Sequence, residues 1–461
     1  MSRLDSAGSV HPSYDRIRRL MGEGRIHFIG IGGVSMYSLA RLAHSSGYSV
    51  SGSDRERSER TDRLESLGIK VYIGHSNENI DNASLVVYSH AIGEDNPELA
   101  FALERKIPTV NRAEYMGAVM LDYKHRIGVS GSHGKSTAVA MLDAIFYASG
   151  SAPTVLSGAE LPFGESLRLG ERGTLIYEAC EYRDSFLRFL PSVAIALNLE
   201  LDHTDYFADI SAIRDSFLRA LSRAEDFAVI SGDDINLRRI MPKIPTSCIT
   251  FGRGRDNTYR YEITRFEEAD FEFSIYKYGT RLGDFVLKIP GVFNIHNATA
   301  AIVTALEMGV DIEVVRQAIA EFSGIPRRLQ HIGKVSGRPI YYDYAHHPTE
   351  ISASLAAIRG VVRGKITLLF KPHTYSRTAG LWQELCGALS LADQIIITDI
   401  YAAREEPIEG ITAENLAIGV GKGAIYLPDG DAAQYILEKT EGAIVLMGAG
   451  DLTEIKRQLT R

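Results

Sequence analysis

Short apolar runs alternate along the chain with stretches whose apolar residues recur at helical spacing. Between Arg25 and about Leu121, the apolar runs are 26–30, 48–52 and 85–88, with a helical pattern at 36–44 after the first run and another at 98–104 after the last. Such alternation is typical of βαβ units, in which helices connect the strands of a parallel sheet. The pattern predicts a first α/β domain over residues 1–122.

A second series of apolar runs follows. It begins with a strand at 125–129 and a helix ending near Ser149, and it continues with buried strands at 174–177, 193–197 and 227–230. Residues 259–288 form short runs in which apolar and polar positions alternate, and this pattern predicts an antiparallel insert. Helices are expected at about 294–308 and 312–322. This series predicts a second domain over residues 123–327.

A third series starts after the breaker Gly324-Ile-Pro-Arg-Arg. Apolar strands are expected at 339–343, 366–370, 394–398 and 443–447, which predicts a last domain over residues 328–461. The expected fold class is therefore α/β, with three consecutive domains built on mostly parallel sheets. The first and last should be Rossmann-like, and the middle one should be a P-loop domain.

Composition narrows the classes of function. The 461 residues are 45% hydrophobic and 23% charged, which is typical of a soluble globular protein. Net charge is −8 and no basic block is present, which argues against nucleic acid as a partner. The three cysteines form no C-x-x-C pair, the N-terminus lacks a signal-peptide pattern, and no apolar run is long enough to span a bilayer. A cytoplasmic protein without membrane insertion is expected.

The sharpest motif is Gly128-Val-Ser-Gly-Ser-His-Gly-Lys-Ser-Thr137, between an apolar strand and a helix. Glycines allow backbone N–H groups to face phosphate oxygens, and a lysine and a hydroxyl at the helix start suit the terminal phosphates and Mg²⁺. Val129 stands where the strict P-loop pattern has glycine, so a glycine-rich turn without nucleotide is the alternative. The favoured interpretation is an ATP site formed by Gly131, Ser132, His133, Gly134, Lys135, Ser136 and Thr137.

A second glycine-rich turn, Gly30-Ile-Gly32-Gly33, follows the first strand, and Asp54 lies 24 residues beyond Gly30. This spacing is similar to the dinucleotide fingerprint, in which an acidic residue contacts a ribose. NAD, a UDP group or a tight βα turn would each explain it. A dehydrogenase therefore remains a hypothesis at this point.

Polar residues cluster after the strands that follow the P-loop. Glu178 ends one apolar strand, and Glu200 and Asp202 follow the next. Carboxylates at the carboxyl ends of strands beside a P-loop are suited to Mg²⁺, although a helix cap or a salt bridge is an equal alternative. His203 is better explained as a structural histidine on these grounds, because Mg²⁺ prefers oxygen ligands.

Further polar motifs lie downstream. Asn294 and Asn297 open a predicted helix, where Asn294 would serve as an N-cap. Adjacent histidines at 346 and 347 have no further ligands at zinc spacing, which argues against zinc. Arg377 follows a strand, and a capping or surface role is the alternative to a functional one.

Together the motifs resemble the Mur ligases of bacterial cell-wall synthesis over nearly the whole chain from Arg25. The strings that carry the resemblance are Gly30-Ile-Gly-Gly-Val-Ser-Met, Gly131-Ser-His-Gly-Lys-Ser-Thr, Asp202-His-Thr-Asp, Arg327-Arg-Leu-Gln, Asp343-Tyr-Ala-His-His-Pro-Thr-Glu and Pro372-His-Thr-Tyr-Ser-Arg-Thr. The resemblance implies ATP-dependent peptidoglycan-precursor synthesis. The lactyl carboxylate of UDP-N-acetylmuramate would form an acyl phosphate, and L-alanine would displace phosphate from it.

The resemblance also implies residue roles. Lys135 would contact the β- and γ-phosphates, and Ser136, Glu178 and His203 would hold Mg²⁺, which gives His203 a functional role. The nucleotide would also meet Asn294, Asn297, Arg328 and Asp343. The first domain would bind the UDP group through Gly30, Gly32, Gly33, Asp54, His90 and Arg112. The expected catalytic set is Lys135, Glu178, His203, Arg328, Asp343, His346 and Arg377.

Three departures from the family pattern refine this expectation. Relatives that add later amino acids carry a lysine about fifteen residues after the metal-site histidine, and none lies between His203 and Leu218, which favours the alanine-adding branch. The usual acidic string is here Glu178-Ala-Cys-Glu-Tyr-Arg, so Cys180 replaces an acid. Many relatives have arginine where Thr374 stands, which leaves Arg377 as the amino-acid carboxylate anchor.

Alternative functions remain open on the sequence alone. Within the same fold, a recycling ligase would join a preformed peptide to the same sugar. In other classes, an NAD-dependent dehydrogenase or an NTP-binding switch would use only one of the two glycine-rich turns.

Overall fold

A computed structural model describes residues 12–203, 206–267, 270–403 and 405–460. The chain forms two compact units, Met1–Thr250 and Phe251–Arg461.

The first unit begins with a parallel sheet in the order β3-β2-β1-β4-β5. Its strands are β1 (Arg25–Ile29), β2 (Ser49–Asp54), β3 (Lys70–Ile73), β4 (Ala83–Tyr88) and β5 (Thr109–Asn111). The helices are α1 (Pro12–Glu23), α2 (Val34–Ser45), α3 (Glu59–Ser66), α4 (Pro97–Glu104) and α5 (Arg112–Val119). Strand order reverses beside β1, where ligands of open α/β sheets bind. The first glycine-rich turn leaves β1 at this point.

A second sheet of ten strands follows along the chain, and seven neighbouring strands in it have the order β12-β11-β10-β6-β9-β7-β8. Its strands are β6 (His125–Ser130), β7 (Pro153–Leu156), β8 (Leu167–Arg168), β9 (Glu171–Glu178), β10 (Val193–Ala196), β11 (Phe227–Ser231) and β12 (Ser247–Gly252). The helices are α6 (Lys135–Ala148), α7 (Ile210–Leu221) and α8 (Ile235–Ile240). Strands β6, β9 and β10 run parallel, so the loops after them reach the same edge of the sheet.

The second unit starts with the predicted antiparallel insert. Strands β13 (Tyr259–Glu267), β14 (Asp270–Lys277) and β15 (Thr280–Leu287) pair antiparallel in sequence order. Helices α9 (Val292–Glu307) and α10 (Ile312–Glu321) follow, as the apolar periodicity indicated. Both the insert and the two helices are confirmed.

The last sheet has the order β16-β17-β21-β18-β19-β20, in which β16 alone is antiparallel to its neighbour. Its strands are β16 (Gln330–Val335), β17 (Arg338–Asp343), β18 (Ile366–Phe370), β19 (Gln394–Ile397), β20 (Ile425–Tyr426) and β21 (Ala443–Met447). The helices are α11 (Pro348–Val361), α12 (Tyr375–Gly380), α13 (Trp382–Leu389), α14 (Ala413–Val420), α15 (Asp429–Lys439) and α16 (Thr453–Leu459).

Apolar burial explains why the central strands were recognisable in the sequence. Every residue of β18 and β21 is buried, as expected for strands covered by helices on both faces. The α/β class with mostly parallel sheets is confirmed. Within the part of the chain that the structure describes, no helix is both long and apolar enough to cross a membrane.

Candidate active site

The P-loop connects the buried strand β6 to the start of α6. Gly131 (φ 143°) and Gly134 (φ 86°) both adopt the left-handed backbone that favours glycine. The loop is held by the end of the neighbouring strand, because Asn198 accepts hydrogen bonds from Ser132 N at 3.3 Å and from His133 N at 2.8 Å. Its shape is therefore set by glycine geometry and by a fixed support.

Lys135 forms a buried ion pair at this loop. Its Nζ lies 3.1 Å from both carboxylate oxygens of Glu181 and also donates to the carbonyls of Gly131 and Ser132. Glu181 is fully buried. Burial alone would lower the pKa of Lys135, but the carboxylates of Glu181 and Glu178 outweigh it and raise that pKa. The lysine is therefore charged at neutral pH.

Sequence reasoning missed Glu181, although the string Glu178-Ala-Cys-Glu contains it. The available signal was position: a carboxylate just beyond a buried strand, beside a P-loop, needs a cation if it is buried. Cys180 adds no charge here, because burial and the neighbouring Glu181 raise the pKa of its thiol.

The three expected metal ligands lie around the same edge of the sheet. Ser136 is buried in the first turn of α6, and Glu178 ends β9, which pairs with β6. Glu178 Oε1 accepts hydrogen bonds from Ser157 Oγ at 2.9 Å and from Gly158 N at 2.7 Å. The hydroxyl and carboxylate oxygens fit Mg²⁺.

His203 has a different environment from the two oxygen ligands. Its Nε2 lies 3.7 Å from Glu181 Oε1, and its ring centroid lies 4.8 Å from that of Tyr182. The backbone is left-handed there (φ 54°), a conformation rare for a non-glycine residue. The next two residues of the Asp202-His-Thr-Asp string lie outside the described residues.

The first glycine-rich turn is closed by protein groups. Gly30 N and Ile31 N donate to Ser53 O at 2.8 and 2.9 Å, and Gly32 N donates to Asp54 Oδ2 at 2.8 Å. A Cβ at position 32 would lie 2.9 Å from the same carboxylate oxygen, so a larger residue there would displace the Asp54 side chain. Asp54 therefore shapes the turn from which it is 22 residues distant.

His90 and Arg112 lie together in the first unit. Burial, followed by the charges of Arg183 and Arg112, lowers the pKa of His90. Arg112 begins α5, which packs against the 182–188 segment. The UDP candidates in this region therefore lie beside a second arginine that the sequence interpretation did not include, Arg183.

In the second unit, the N-cap prediction for Asn294 is wrong. The helix begins at Val292, because Gly291 (φ 100°) turns the chain earlier. Asn294 lies in the first turn, where its Nδ2 donates to Pro290 O at 2.7 Å, and Asn297 Nδ2 lies 3.4 Å from Asn294 Oδ1. Both amides are buried, so they form one buried polar pair at the helix start.

Asp343 ends β17 as a buried carboxylate. Its oxygens accept from Ser354 Oγ at 2.7 Å and Ala345 N at 2.9 Å. Burial raises the pKa of Asp343, while these hydrogen bonds and Arg328 oppose that effect. The Arg328 guanidinium lies 5.1 Å from the Tyr344 ring centroid, so Arg328, which precedes β16, reaches the loop after β17.

His346, His373 and Arg377 are brought together beyond β17 and β18. The His346 and His373 rings are 5.6 Å apart, and Arg377 Nη1 lies 3.2 Å from His373 Nδ1. His346 Nδ1 lies 3.0 Å from Tyr344 O. Thr374 has a left-handed backbone (φ 62°), and its hydroxyl accepts from Arg377 N at 3.4 Å. His373 was missed in the sequence interpretation.

Comparison with known protein families decides the class of protein. The family model "Mur ligase family, catalytic domain" matches residues 25–124, "Mur ligase middle domain" matches 129–305, and "Mur ligase, glutamate ligase domain" matches 327–450. The chain belongs to the Mur ligase family. The resemblance stated above is thereby confirmed, and the dehydrogenase alternative is set aside. Mur ligases are ATP-dependent enzymes.

Named relatives of this Mur ligase cover almost all of its length. It is 41% identical to the UDP-N-acetylmuramate–L-alanine ligase of Acetivibrio thermocellus, over 93% of this chain and 94% of the relative. It is 37% identical to the protein of the same name from Syntrophus aciditrophicus, over 93% of this chain and 92% of the relative.

Solved structures agree with this assignment. The UDP-N-acetylmuramate-alanine ligase of Thermotoga maritima superposes with a TM-score of 0.81 at 27% identity, covering 95% of this Mur ligase and 98% of that chain. A murein peptide ligase from Psychrobacter arcticus superposes with a TM-score of 0.71 at 23% identity, with the same coverage. The second match shows the shared fold.

Proposed function

We propose that this Mur ligase joins L-alanine to UDP-N-acetylmuramate, converting ATP to ADP and phosphate in the cytoplasm as a step of peptidoglycan-precursor synthesis. The observation that carries the proposal is identity of about 40% to ligases of that name over more than nine-tenths of the chain. We assign residues 1–122 to the UDP-sugar, 123–327 to ATP and 328–461 to the amino acid.

The reaction proceeds in two steps. A lactyl carboxylate oxygen attacks the γ-phosphorus, the bond to ADP breaks, and an acyl phosphate forms. The uncharged amine of L-alanine then attacks the acyl carbon, a C–N bond forms, phosphate leaves with the C–O bond electrons, and the amine loses a proton. Neither step needs a protein nucleophile, so the protein's task is charge neutralisation and positioning.

The P-loop performs the charge neutralisation. Gly131, Ser132, His133, Gly134, Lys135, Ser136 and Thr137 surround the phosphates, and the ammonium of Lys135 balances negative charge on the β- and γ-phosphates. Ser136, Glu178 and His203 would hold Mg²⁺. When bound, that ion supplies further positive charge at the phosphates.

The remaining candidates position the three substrates. Asn294, Asn297, Arg328 and Asp343 belong to the nucleotide site, and His346 belongs to the catalytic set. The UDP group is assigned to Gly30, Gly32, Gly33, Asp54, His90 and Arg112. Arg377 holds the carboxylate of L-alanine, because a guanidinium offers two parallel donors to a carboxylate.

The test is phosphate release from ATP with UDP-N-acetylmuramate present, comparing no amine, L-alanine and a tripeptide. We expect turnover with L-alanine and little turnover without amine, because the acyl phosphate must be captured. Faster turnover with the tripeptide would indicate the recycling ligase instead. Equal turnover without the sugar would rule out both ligases.

A further inference from the structure

The β7–β8 loop, residues 157–166, lies beside the carboxylate that we assign to Mg²⁺. Ser157 Oγ donates to Glu178 Oε1 at 2.9 Å, and Gly158 N donates to the same oxygen at 2.7 Å. In the part of the chain that the structure describes, both hydrogen bonds to this carboxylate end on Oε1. The oxygen of Glu178 that remains available to a cation is therefore Oε2.

The Ser157 hydroxyl is held by a second contact. Its oxygen accepts from Ala159 N at 3.1 Å, so the hydroxyl accepts from one partner and donates to the other, which fixes its orientation. Ser157 is only 5% exposed. Little water therefore competes for its hydrogen bond to the carboxylate.

Gly158 leaves space beside the second carboxylate oxygen. A Cβ at position 158 would lie 3.2 Å from Glu178 Oε2, and a side chain there would cover part of this oxygen. The loop can therefore hold one oxygen through its backbone N–H and leave the other open, because residue 158 is glycine.

The far end of the β7–β8 loop is anchored on helices of the first sheet. Glu165 Oε2 accepts from Arg41 Nη1 of α2 at 2.9 Å, and Glu165 Oε1 accepts from Arg63 Nη1 of α3 at 2.9 Å. Ser166 Oγ lies 2.9 Å from Ser38 Oγ of α2, and both serines are buried. Helix α2 directly follows the first glycine-rich turn, so the loop contacts the helix behind the turn that we assign to UDP.

The two ends of the loop are joined directly. Ser157 N donates to Ser166 O at 2.9 Å, and Leu161 N donates to Glu165 O at 2.9 Å. These backbone hydrogen bonds close the loop at its base and near its tip. A change in the position of Glu165 is therefore transmitted to Ser157.

Burial indicates which contact contributes most to the anchor. The side chains of Arg41 and Glu165 are 18% and 26% exposed, whereas that of Arg63 is 53% exposed. Water screens an exposed ion pair more strongly than a half-buried one. The pair of Glu165 with Arg41 is therefore the stronger of the two.

We propose that Ser157 is a positioning residue for the Mg²⁺ ligand Glu178, and that Glu165 fixes the β7–β8 loop on α2 and α3, so that Mg²⁺ affinity at the nucleotide depends on this contact with the helices of the first sheet. This inference rests on the proposed function, which makes Glu178 a metal ligand. A side chain that orients a ligand carboxylate typically changes metal affinity by about tenfold or more when it is removed.

The test measures binding of β,γ-imido-ATP, which is not hydrolysed, by calorimetry with Mg²⁺ and with EDTA. Ser157→Ala should weaken binding about tenfold with Mg²⁺ and about twofold or less with EDTA. Ser157→Thr keeps the hydroxyl and should lose about threefold or less with Mg²⁺. No weakening in Ser157→Ala, or equal weakening with and without Mg²⁺, would overturn the proposal.

The matched control is Ser192→Ala. Ser192 is also buried, and its hydroxyl accepts from Arg126 N at 2.8 Å at the opposite edge of the same sheet. This variant should melt at a lower temperature and bind the nucleotide as the unaltered enzyme does in both conditions. A loss confined to Mg²⁺ in Ser192→Ala as well would show that the effect is not specific to Glu178, and would contradict the proposal.

The anchor is tested at a residue that does not contact the carboxylate. Glu165→Gln removes the charge that faces Arg41 and Arg63, and should weaken binding about threefold with Mg²⁺ and leave it unchanged with EDTA. Asp62→Asn is the control, because it removes an exposed ion pair of α3 with Arg57, and it should change neither value. If Glu165→Gln behaved as Asp62→Asn does, the proposed anchor would be wrong.

A further variant covers the case in which Ser157→Ala folds poorly. Gly158→Ala keeps the backbone donor and places a Cβ beside Glu178 Oε2. It should weaken binding with Mg²⁺ about threefold to tenfold and leave binding with EDTA unchanged. Unchanged binding with Mg²⁺ in this variant would show that Oε2 is not the oxygen that the cation contacts.

Glu178→Gln separates failure of this inference from failure of the proposed function. It should weaken binding with Mg²⁺ about tenfold or more. If it has no effect, Glu178 is not a metal ligand and the proposed function loses that assignment together with this inference. If it has the expected effect and Ser157→Ala has none, the inference alone is wrong.

Discussion

The two glycine-rich turns of the first unit look alike in the sequence but are closed in different ways. Each follows a buried parallel strand and precedes a helix, and each contains a glycine with positive φ, Gly30 (79°) and Gly134 (86°). In the first turn, the Asp54 carboxylate accepts a hydrogen bond from the backbone N–H of Gly32. In the second, a lysine pairs with the buried Glu181.

This difference teaches what each turn is built to attract. In the first turn, the acceptor of the Gly32 backbone N–H is the Asp54 carboxylate. In a dinucleotide-binding turn, a phosphate oxygen accepts from such backbone N–H groups. The ammonium beside the second turn is paired with a carboxylate, and a phosphate group that binds there would offer it a second anionic partner. The spacing of the glycines therefore does not distinguish the two turns. The charge of the side chain that contacts each turn does distinguish them, because it is the carboxylate of Asp54 in the first turn and the ammonium of Lys135 in the second.

The largest expected effect comes from removing the cation of the second turn. Lys135→Ala should reduce ATP-dependent phosphate release by about a hundred- to a thousandfold, because one preorganised donor to the developing phosphate charge is lost. Calorimetry should show UDP-N-acetylmuramate binding within about twofold of the unaltered enzyme. If that binding disappeared in a folded variant, our division of the substrates between the two turns would be wrong.

Removing the carboxylate of Glu181, the partner of Lys135, is a second test of the same turn. Glu181→Gln leaves Lys135 buried without its counterion, which should cost about 3 kcal/mol and lower the melting temperature by roughly 6–12 °C. ADP phosphates should then compensate the lysine, so the rise in melting temperature on adding ADP should be larger than in the unaltered protein.

Asp143→Asn is the matched control for this experiment. Asp143 also forms a buried ion pair in the first unit, with Arg168 at 2.7 Å, but it does not contact the turn. We expect a lower melting temperature and an unchanged shift with ADP. An equal ADP shift in Glu181→Gln and in the unaltered protein would show that Glu181 acts only on stability.

The sequence predicted more of the fold than of the site. Runs such as 366–370 and 443–447 are apolar at nearly every position, because both faces of the strand are covered, and this signal is local. The start of α9 could not be predicted in the same way, since the amide of Asn294 suits an N-cap equally well. Only the backbone of Gly291 shows where the helix begins.

The contacts that define the site depend on residues distant in sequence. Glu181 meets Lys135 across 46 positions, and periodicity carries no information about that pairing. The glycines and the lysine of a P-loop are recognisable because they act through local backbone geometry.

A smaller effect is expected from Glu98, the carboxylate that accepts a hydrogen bond from Ser53 behind the first turn. Glu98 is fully buried and accepts from Ser53, which also holds the turn through its carbonyl, and from Asn79 at 2.6 Å. Burial would raise the pKa of Glu98, but the His27 imidazole, whose Nε2 lies 3.6 Å from Glu98 Oε2, and hydrogen bonds from Ser53 and Asn79 outweigh it and lower the pKa to about 2 from 4.5.

A lowered carboxyl pKa stabilises the folded state above the unfolded value, and that stability is lost as pH falls from 4.5 toward 2. Glu98→Gln should therefore lower the free energy of unfolding by about 3 kcal/mol at pH 7 and by about 1.4 kcal/mol at pH 3, measured by urea unfolding. Glu104→Gln, an exposed carboxyl on the same helix, should change little at either pH. A pH-independent difference for Glu98→Gln would contradict this assignment.

The smallest effect separates two roles for Asp54. If its carboxylate only shapes the turn, Asp54→Ala removes one acceptor from Gly32 N and weakens binding of UDP and 2′-deoxy-UDP by the same factor, about threefold to tenfold. Asp54→Asn keeps an oxygen acceptor and should lose about twofold or less. If Asp54 instead contacts the ribose, the unaltered protein should prefer UDP over 2′-deoxy-UDP, and Asp54→Ala should abolish that preference. We expect equal losses, because the hydrogen bond from Gly32 N already determines where the carboxylate lies. Calorimetric titration with UDP and 2′-deoxy-UDP decides whether Asp54 shapes the turn or contacts the ribose. The measurement uses no ATP, so the P-loop does not contribute to it.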